Sequence, residues 1–134
     1  MAATELCTEE EVTRLVHHFY AKVRKDDLLG PIFNHHVADW DQHLAKLVDF
    51  WSAILRGTTR FSGAPMPAHI ALPGLNAGLF QRWLALFHQT TQALGNEAMR
   101  DRADAMSRRI AQSFWYGYQL SRDPDQLPGQ LAPT

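Results

Sequence analysis

The chain lacks the features that mark secreted, membrane and disulfide-bonded proteins. Its only cysteine is Cys7, so no disulfide can form within the chain and a reducing compartment is favoured. The first ten residues lack the basic and apolar regions of a secretory signal, and no apolar run approaches the roughly 20 residues that span a bilayer. We therefore expect a cytoplasmic protein without membrane contact.

The sequence also lacks a large net charge and the common catalytic motifs. The formal net charge is −1, from 13 basic and 14 acidic residues, which argues against a nucleic-acid partner. The sequence has no glycine-rich phosphate loop, no HExxH and no GxSxG. It has no Glu-x-x-His and no paired zinc-ligand spacing, which argues against di-iron carboxylate and zinc sites.

The chain does have a large apolar and aromatic content. Four Trp, seven Phe and three Tyr belong to a hydrophobic fraction of 46%. A core of this kind suits tight packing or the binding of a flat apolar molecule. We predict one domain over residues 1–120 and a flexible tail over 121–134, because the tail is rich in proline and glycine.

Hydrophobic spacing and helix-end residues predict four helices. The sequence GPIF (Gly30–Phe33) is expected to stop the first of them. The predicted limits are Thr8 to Gly30, Asp39 to Gly57, Leu79 to Gly95 and Glu97 to Tyr118. No segment has the period of a strand, so the predicted class is all-α, with helices packed around an apolar centre.

The segment Ser62–Gly74 interrupts this helical pattern. Three prolines in nine residues prevent a long regular helix there, and His69 is the only histidine in the segment. A lone histidine of this kind is most often bonded to backbone carbonyls or water. The alternative is an axial ligand to a haem iron, for which one histidine suffices because the porphyrin supplies four other ligands.

Three residues with polar atoms, Tyr20, His43 and Trp83, lie on or beside the apolar stripes of the predicted helices. Each alone is most simply a core residue whose polar atom bonds locally. Beside a haem they would present a hydroxyl, an imidazole and an indole N–H. Such groups stabilise a ligand that carries partial negative charge.

Four blocks of the sequence together resemble one known family. FYAKVRKDDLLGPIF, WDQHLAKLVDFW, PMPAHIALPG and FQRWLALF occur in the order and spacing of the truncated haemoglobins of group III. The resemblance covers roughly residues 8–118, and His43 at the distal-helix position is typical of this group. It implies a globin-like two-over-two helical sandwich around haem b (iron protoporphyrin IX).

The resemblance also implies roles for single residues. His69 would be the proximal iron ligand, and Tyr20, His43 and Trp83 would form the polar distal site. Lys46 and Arg82 are candidates for contact with the haem propionates. The full set of implied cofactor contacts is Phe33, Lys46, Leu47, Phe50, Trp51, Leu72 and Phe80.

Three functions stay open on these grounds. The first is reversible binding of dioxygen or nitric oxide at the haem, as in an oxygen carrier. The second is redox catalysis at the same iron, such as nitric oxide dioxygenation or peroxide chemistry, fed by an external reductase. The third is a haem-free helical interaction or sensor domain, which the absence of a Soret absorbance band would reveal.

Overall fold

Side-chain caps set the beginnings of the long helices. The computed structural model describes residues 6–61 and 74–131. Helix α1 spans Glu9–Lys25, and Thr8 and Glu11 form its capping box: Thr8 Oγ1 accepts from Glu11 N at 3.1 Å and Glu11 Oε1 accepts from Thr8 N at 2.9 Å. The predicted start of the first helix at Thr8 is confirmed.

The second long helix also begins and ends as predicted. Helix α3 spans Trp40–Arg56, and Asp39 Oδ1 accepts from Gln42 N at its start. It ends at Gly57, whose φ of +72° is left-handed and therefore favours glycine.

The prediction that GPIF stops a helix is wrong in one respect, because a short helix begins there. Helix α2 spans Gly30–His36, with Pro31 in its first turn. Proline is well tolerated at that position, since its missing N–H would have no partner within the helix. Helix α1 has already ended at Lys25, and the chain turns between the two helices at Asp26–Leu29.

Two further helices complete the described fold. Helix α4 spans Ala77–Ala93 and helix α5 spans Glu97–Arg122, so α5 runs four residues past the predicted end at Tyr118. Helices α4 and α5 pack along each other, and α1 packs against α2, α3 and α4. No strand occurs in residues 6–61 or 74–131, and the predicted all-α class is confirmed.

The core lies between α1, α3 and α4. Phe19 on α1 packs edge-to-face against Phe87 on α4 at 5.0 Å, and Trp51 on α3 stacks on Phe87 at 4.9 Å. All three rings are at least 98% buried. This aromatic centre fixes how the three helices face one another.

The described part of the tail contacts α5. Both the N–H and the carbonyl of Gly129 bond to the Gln119 side chain at 2.9 Å, and Leu131 N donates to Gln112 Oε1 at 3.0 Å. The predicted boundary at residue 120 falls inside α5. Flexibility of residues 121–134 stays a prediction.

Within the described ranges, none of the helices is both long and apolar enough to cross a membrane.

Candidate functional site

An open apolar pocket lies between α2, α4 and α5. The described lining residues are all apolar or aromatic: Leu29, Ile32, Phe33, Leu75, Leu79, Phe80, Trp83, Ile110, Ala111 and Phe114.

Three residues that sequence analysis proposed for the site line this pocket together. Phe33 comes from α2, and Phe80 and Trp83 come from α4. Phe80 and Trp83 are three positions apart, so they share a helix face that points to the pocket. Phe33 reaches the same space because α2 turns back directly after α1.

Tyr20 and His43 lie beside the pocket in a cluster of rings. The Tyr20 ring is 5.9 Å from Phe33 and 6.2 Å from His43, in edge-to-face arrangements. Trp40 contacts both polar residues, at 6.1 Å from Tyr20 and 5.6 Å from His43. The Arg24 guanidinium lies over the Trp40 ring, 4.6 Å from its centre. The three rings of Tyr20, Trp40 and His43 therefore hold one another's orientation.

The Tyr20 hydroxyl lies in a dry environment. Only 4% of the residue is exposed, and this burial raises the pKa of the phenol far above its ordinary value, while a hydrogen bond with Trp83 acts in the opposite direction. The phenol stays protonated through the whole physiological range and can donate a hydrogen bond. Tyr20 and Trp83 are two of the three predicted distal residues, and the structure brings their side chains together.

The other proposed contacts from α3 lie in different surroundings. Trp51 is 2% exposed and stacks on Phe87 in the core. Phe50 packs against Trp51 at 5.6 Å and Phe61 at 5.1 Å, while Leu47 is half-buried against the core. Lys46 is exposed. None of these four is among the described residues that line the pocket.

Two proposed residues lie outside the described ranges. His69, the proposed iron ligand, and Leu72, a proposed cofactor contact, both fall in residues 62–73. Within the described ranges, no group of three or more His, Cys, Asp or Glu side chains could hold a metal ion.

Arg82, the other propionate candidate, pairs with Asp26. Arg82 Nε donates to Asp26 Oδ1 at 2.7 Å and Nη2 lies 2.6 Å from the same oxygen. The guanidinium beside Asp26 is the main cause that lowers the pKa of this carboxyl below its ordinary value, and bonds from the backbone of Leu28 and Leu29 act in the same direction.

Comparison with known proteins decides the family. The model of the bacterial-like globin family matches residues 4–114. The group 3 truncated hemoglobin ctb of Campylobacter jejuni is 35% identical over 114 residues, which cover 82% of this chain and 90% of that protein. The chain is a truncated haemoglobin of group III. The crystal structure of the group III truncated hemoglobin from Campylobacter jejuni matches it with a TM-score of 0.75, over 81% of this chain and 88% of that one.

This truncated haemoglobin is therefore a haem-binding globin, and the pocket fits that cofactor. Its described walls are apolar and aromatic, as a flat hydrophobic macrocycle requires. Phe33, Phe80 and Trp83 belong to those walls, and the buried Tyr20 hydroxyl lies next to Trp83. The globin fold and the all-helical structure agree with the family that the four sequence blocks predicted.

Several parts of the site carry no clear signal in the sequence. Ile110 and Phe114 are four positions apart on α5, and this spacing indicates only a shared helix face, not that the face borders a pocket. Trp40 on α3 has no predicted role, although its ring contacts both Tyr20 and His43. Asp26 carried no signal, because its partner Arg82 is 56 positions away.

Proposed function

We propose that this truncated haemoglobin binds haem b through His69 and reversibly binds dioxygen or another small diatomic ligand beside Tyr20. The observation that carries the proposal is the buried Tyr20 hydroxyl next to the apolar pocket, on a ring that packs edge-to-face against His43 and lies beside Trp83. The haem, when bound, supplies the iron at which a diatomic ligand binds.

Tyr20 supplies the principal hydrogen bond in this proposal. Its phenol is neutral and buried, and its ring is fixed by Phe19 at 4.7 Å and Phe33 at 5.9 Å. A donor that is already oriented loses little entropy when it bonds a ligand, and its bond is strong because water is excluded. Trp83 orients the Tyr20 hydroxyl and closes the pocket wall.

The test of this role is the Tyr20→Phe variant, which removes one hydroxyl and keeps the ring. We expect dioxygen to dissociate roughly tenfold faster, which corresponds to the loss of one hydrogen bond of about 1.4 kcal/mol. Trp83→Phe should also accelerate dissociation, because the indole N–H is lost. Stopped-flow measurement of the dissociation rate gives both numbers.

Tyr116→Phe is the matched control for this experiment. Tyr116 is half-buried on α5 and is not among the described pocket-lining residues, so the variant should keep the wild-type dissociation rate. Unchanged dissociation in both Tyr20→Phe and Trp83→Phe would show that the assigned roles are wrong.

The proposed iron ligand needs its own experiment. We expect His69→Gly to lose or shift the Soret band of the reconstituted protein, and added imidazole to restore it in part, because free imidazole can take the place of the missing ring. His36→Ala, on the exposed side of α2, should keep the wild-type spectrum. A wild-type spectrum in His69→Gly would exclude His69 as the ligand.

Redox catalysis is the second candidate, because the same polar residues can polarise a bound peroxide. It needs an external reductase as partner. Catalytic formation of nitrate from nitric oxide and dioxygen in the presence of a reductase would favour this candidate. A single stoichiometric turnover would favour reversible binding.

A further inference from the structure

One buried carboxylate ties the corner between α1 and α2 to α4. The Asp26 side chain is 3% exposed. Its Oδ1 binds Arg82 Nε at 2.7 Å and Nη2 at 2.6 Å, and its Oδ2 accepts from Leu28 N at 3.1 Å and Leu29 N at 3.0 Å. The backbone carbonyl of Asp26 accepts from Gly30 N at 2.8 Å, at the start of α2. Both oxygens of the carboxylate are therefore fully engaged.

Each side of this ion pair adjoins a wall of the haem pocket. Leu29, whose N–H bonds to Asp26, lines the pocket just before α2, and Phe33 follows one turn later. Trp83 lines the pocket directly after Arg82 on α4. Among the described helices, close backbone contacts join α2 to α1 and α1 to α4, but not α2 to α4. The ion pair therefore ties the corner before α2 to α4, where no close backbone contact joins α2 and α4 directly.

We propose that Asp26 and Arg82 are positioning residues of the haem site. The pair holds the wall that carries Phe33 and the wall that carries Trp83 at the separation that retains haem. It also fixes how far α4 is shifted along α1, and so keeps Trp83 beside Tyr20. This inference rests on the proposed function, because it concerns the same pocket and the same distal residues.

The chemistry of the pair indicates why the residue on α4 is an arginine. Two nitrogens of the planar guanidinium reach one carboxylate oxygen, which fixes both the distance and the direction between the helices. A lysine ammonium in the same place would keep the charge and lose the fixed direction.

The test measures haem retention and the polarity of the distal site in the reconstituted protein. The variants are Asp26→Asn and Arg82→Gln, and the acceptor is haem-free myoglobin. We expect each variant to lose haem roughly tenfold faster, as expected for outer residues that orient a cofactor site. We also expect a shifted or broadened C–O stretching band in the carbon monoxide complex. The double variant should lose haem no faster than the singles, because each single change already breaks the pair.

Asp104→Asn is the matched control. Asp104 is also a buried carboxylate, with its side chain 10% exposed, and it bonds to His88 Nδ1 at 2.7 Å and Thr91 Oγ1 at 2.8 Å. It lines a different groove, between α4 and α5. The control should lower the stability of the protein and leave both haem loss and the C–O band at wild-type values. If Asp26→Asn does not fold, Arg82→Lys is a milder variant. It should also speed haem loss and shift the C–O band, but by less than Arg82→Gln.

Several outcomes would overturn the inference. Variants of the pair that behave like Asp104→Asn would show that the pair only stabilises the fold. Faster haem loss in Arg82→Gln with wild-type loss in Asp26→Asn would show that Arg82 acts on the cofactor directly. A wild-type protein that takes up no haem would overturn the proposed function, and this inference with it.

Discussion

At Gly30 the chain passes so close to the end of α1 that a side chain would collide with the backbone. A Cβ atom there would lie 2.8 Å from the carbonyl oxygen of Arg24 and 3.3 Å from its carbonyl carbon. Asn34 on α2 bonds to the same Arg24 oxygen at 3.2 Å. This close approach lets Phe33 reach both the pocket and the Tyr20 ring, so one small residue supports the geometry of the site.

Substitution of this glycine should therefore be costly. We expect Gly30→Ala to lower the free energy of unfolding by about 1–3 kcal/mol, because backbone atoms must move to admit the methyl group. Urea denaturation measures the change. Gly129→Ala is the control: the added Cβ would meet Gln119 at 3.8 Å, an ordinary contact, and the effect should stay within about 0.5 kcal/mol. Equal stability of the two variants would contradict the proposed role of the close approach.

The sequence predicts some residues of the site better than others, for a physical reason. Phe33, Phe80 and Trp83 belong to motifs, and all three line the pocket. Arg82 is predicted only as a contact of the haem propionates and Asp26 has no predicted role, because only the fold brings the two side chains together. Local spacing reports which face of a helix a residue occupies, and it carries no information on pairing between distant helices.

At the scale of elements, α4 and α5 begin in the same way and are anchored differently. Asn76 accepts from Leu79 N and Asn96 accepts from Met99 N, both at 3.1 Å. The amide nitrogen of Asn96 also donates to Leu6 O at 3.0 Å and to Glu11 Oε2 at 2.9 Å. Asn96 thus joins the start of α5 to the residues around the start of α1.

The two asparagines give a matched pair of variants. Asn76→Ala should cost about 1 kcal/mol, as is typical for the loss of an N-cap. Asn96→Ala should cost about 2–3 kcal/mol, because two further hydrogen bonds are lost with the cap. Chemical denaturation of both variants in parallel measures the difference. Similar losses would show that the bonds to Leu6 and Glu11 contribute nothing to stability.

Helix limits were predictable where a capping residue marks them. Thr8, Asp39 and Gly57 each mark a limit in the sequence, and the structure has helix ends there. GPIF was misread because proline and glycine signal both the end of one helix and the start of the next. The end of α5 was predicted four residues early, since no residue near Tyr118 gives a stop signal and the helix continues to Arg122.

At the scale of the whole molecule, two acidic residues connect separate helices and make stability depend on pH. Asp26, directly after α1, bonds to Arg82 on α4. Glu11 on α1 bonds to Asn96, which precedes α5. These bonds are the main causes that lower the pKa of each carboxyl below its ordinary value. A carboxyl whose pKa is lower in the folded state stabilises the protein above its unfolded pKa. That stabilisation is lost as the pH falls through the folded pKa.

The truncated haemoglobin should therefore lose stability in acid, starting below about pH 4.5, where carboxyls of the unfolded chain begin to bind protons. Asp26→Asn should make the protein less stable at pH 7 and should flatten the further loss between pH 5 and pH 3, because its amide cannot take up a proton. Urea denaturation at several pH values gives the slope. Asp125→Asn, which changes an exposed carboxyl in the tail, should keep the wild-type slope. A wild-type slope in Asp26→Asn would show that the bond between Asp26 and Arg82 does not link proton binding to folding.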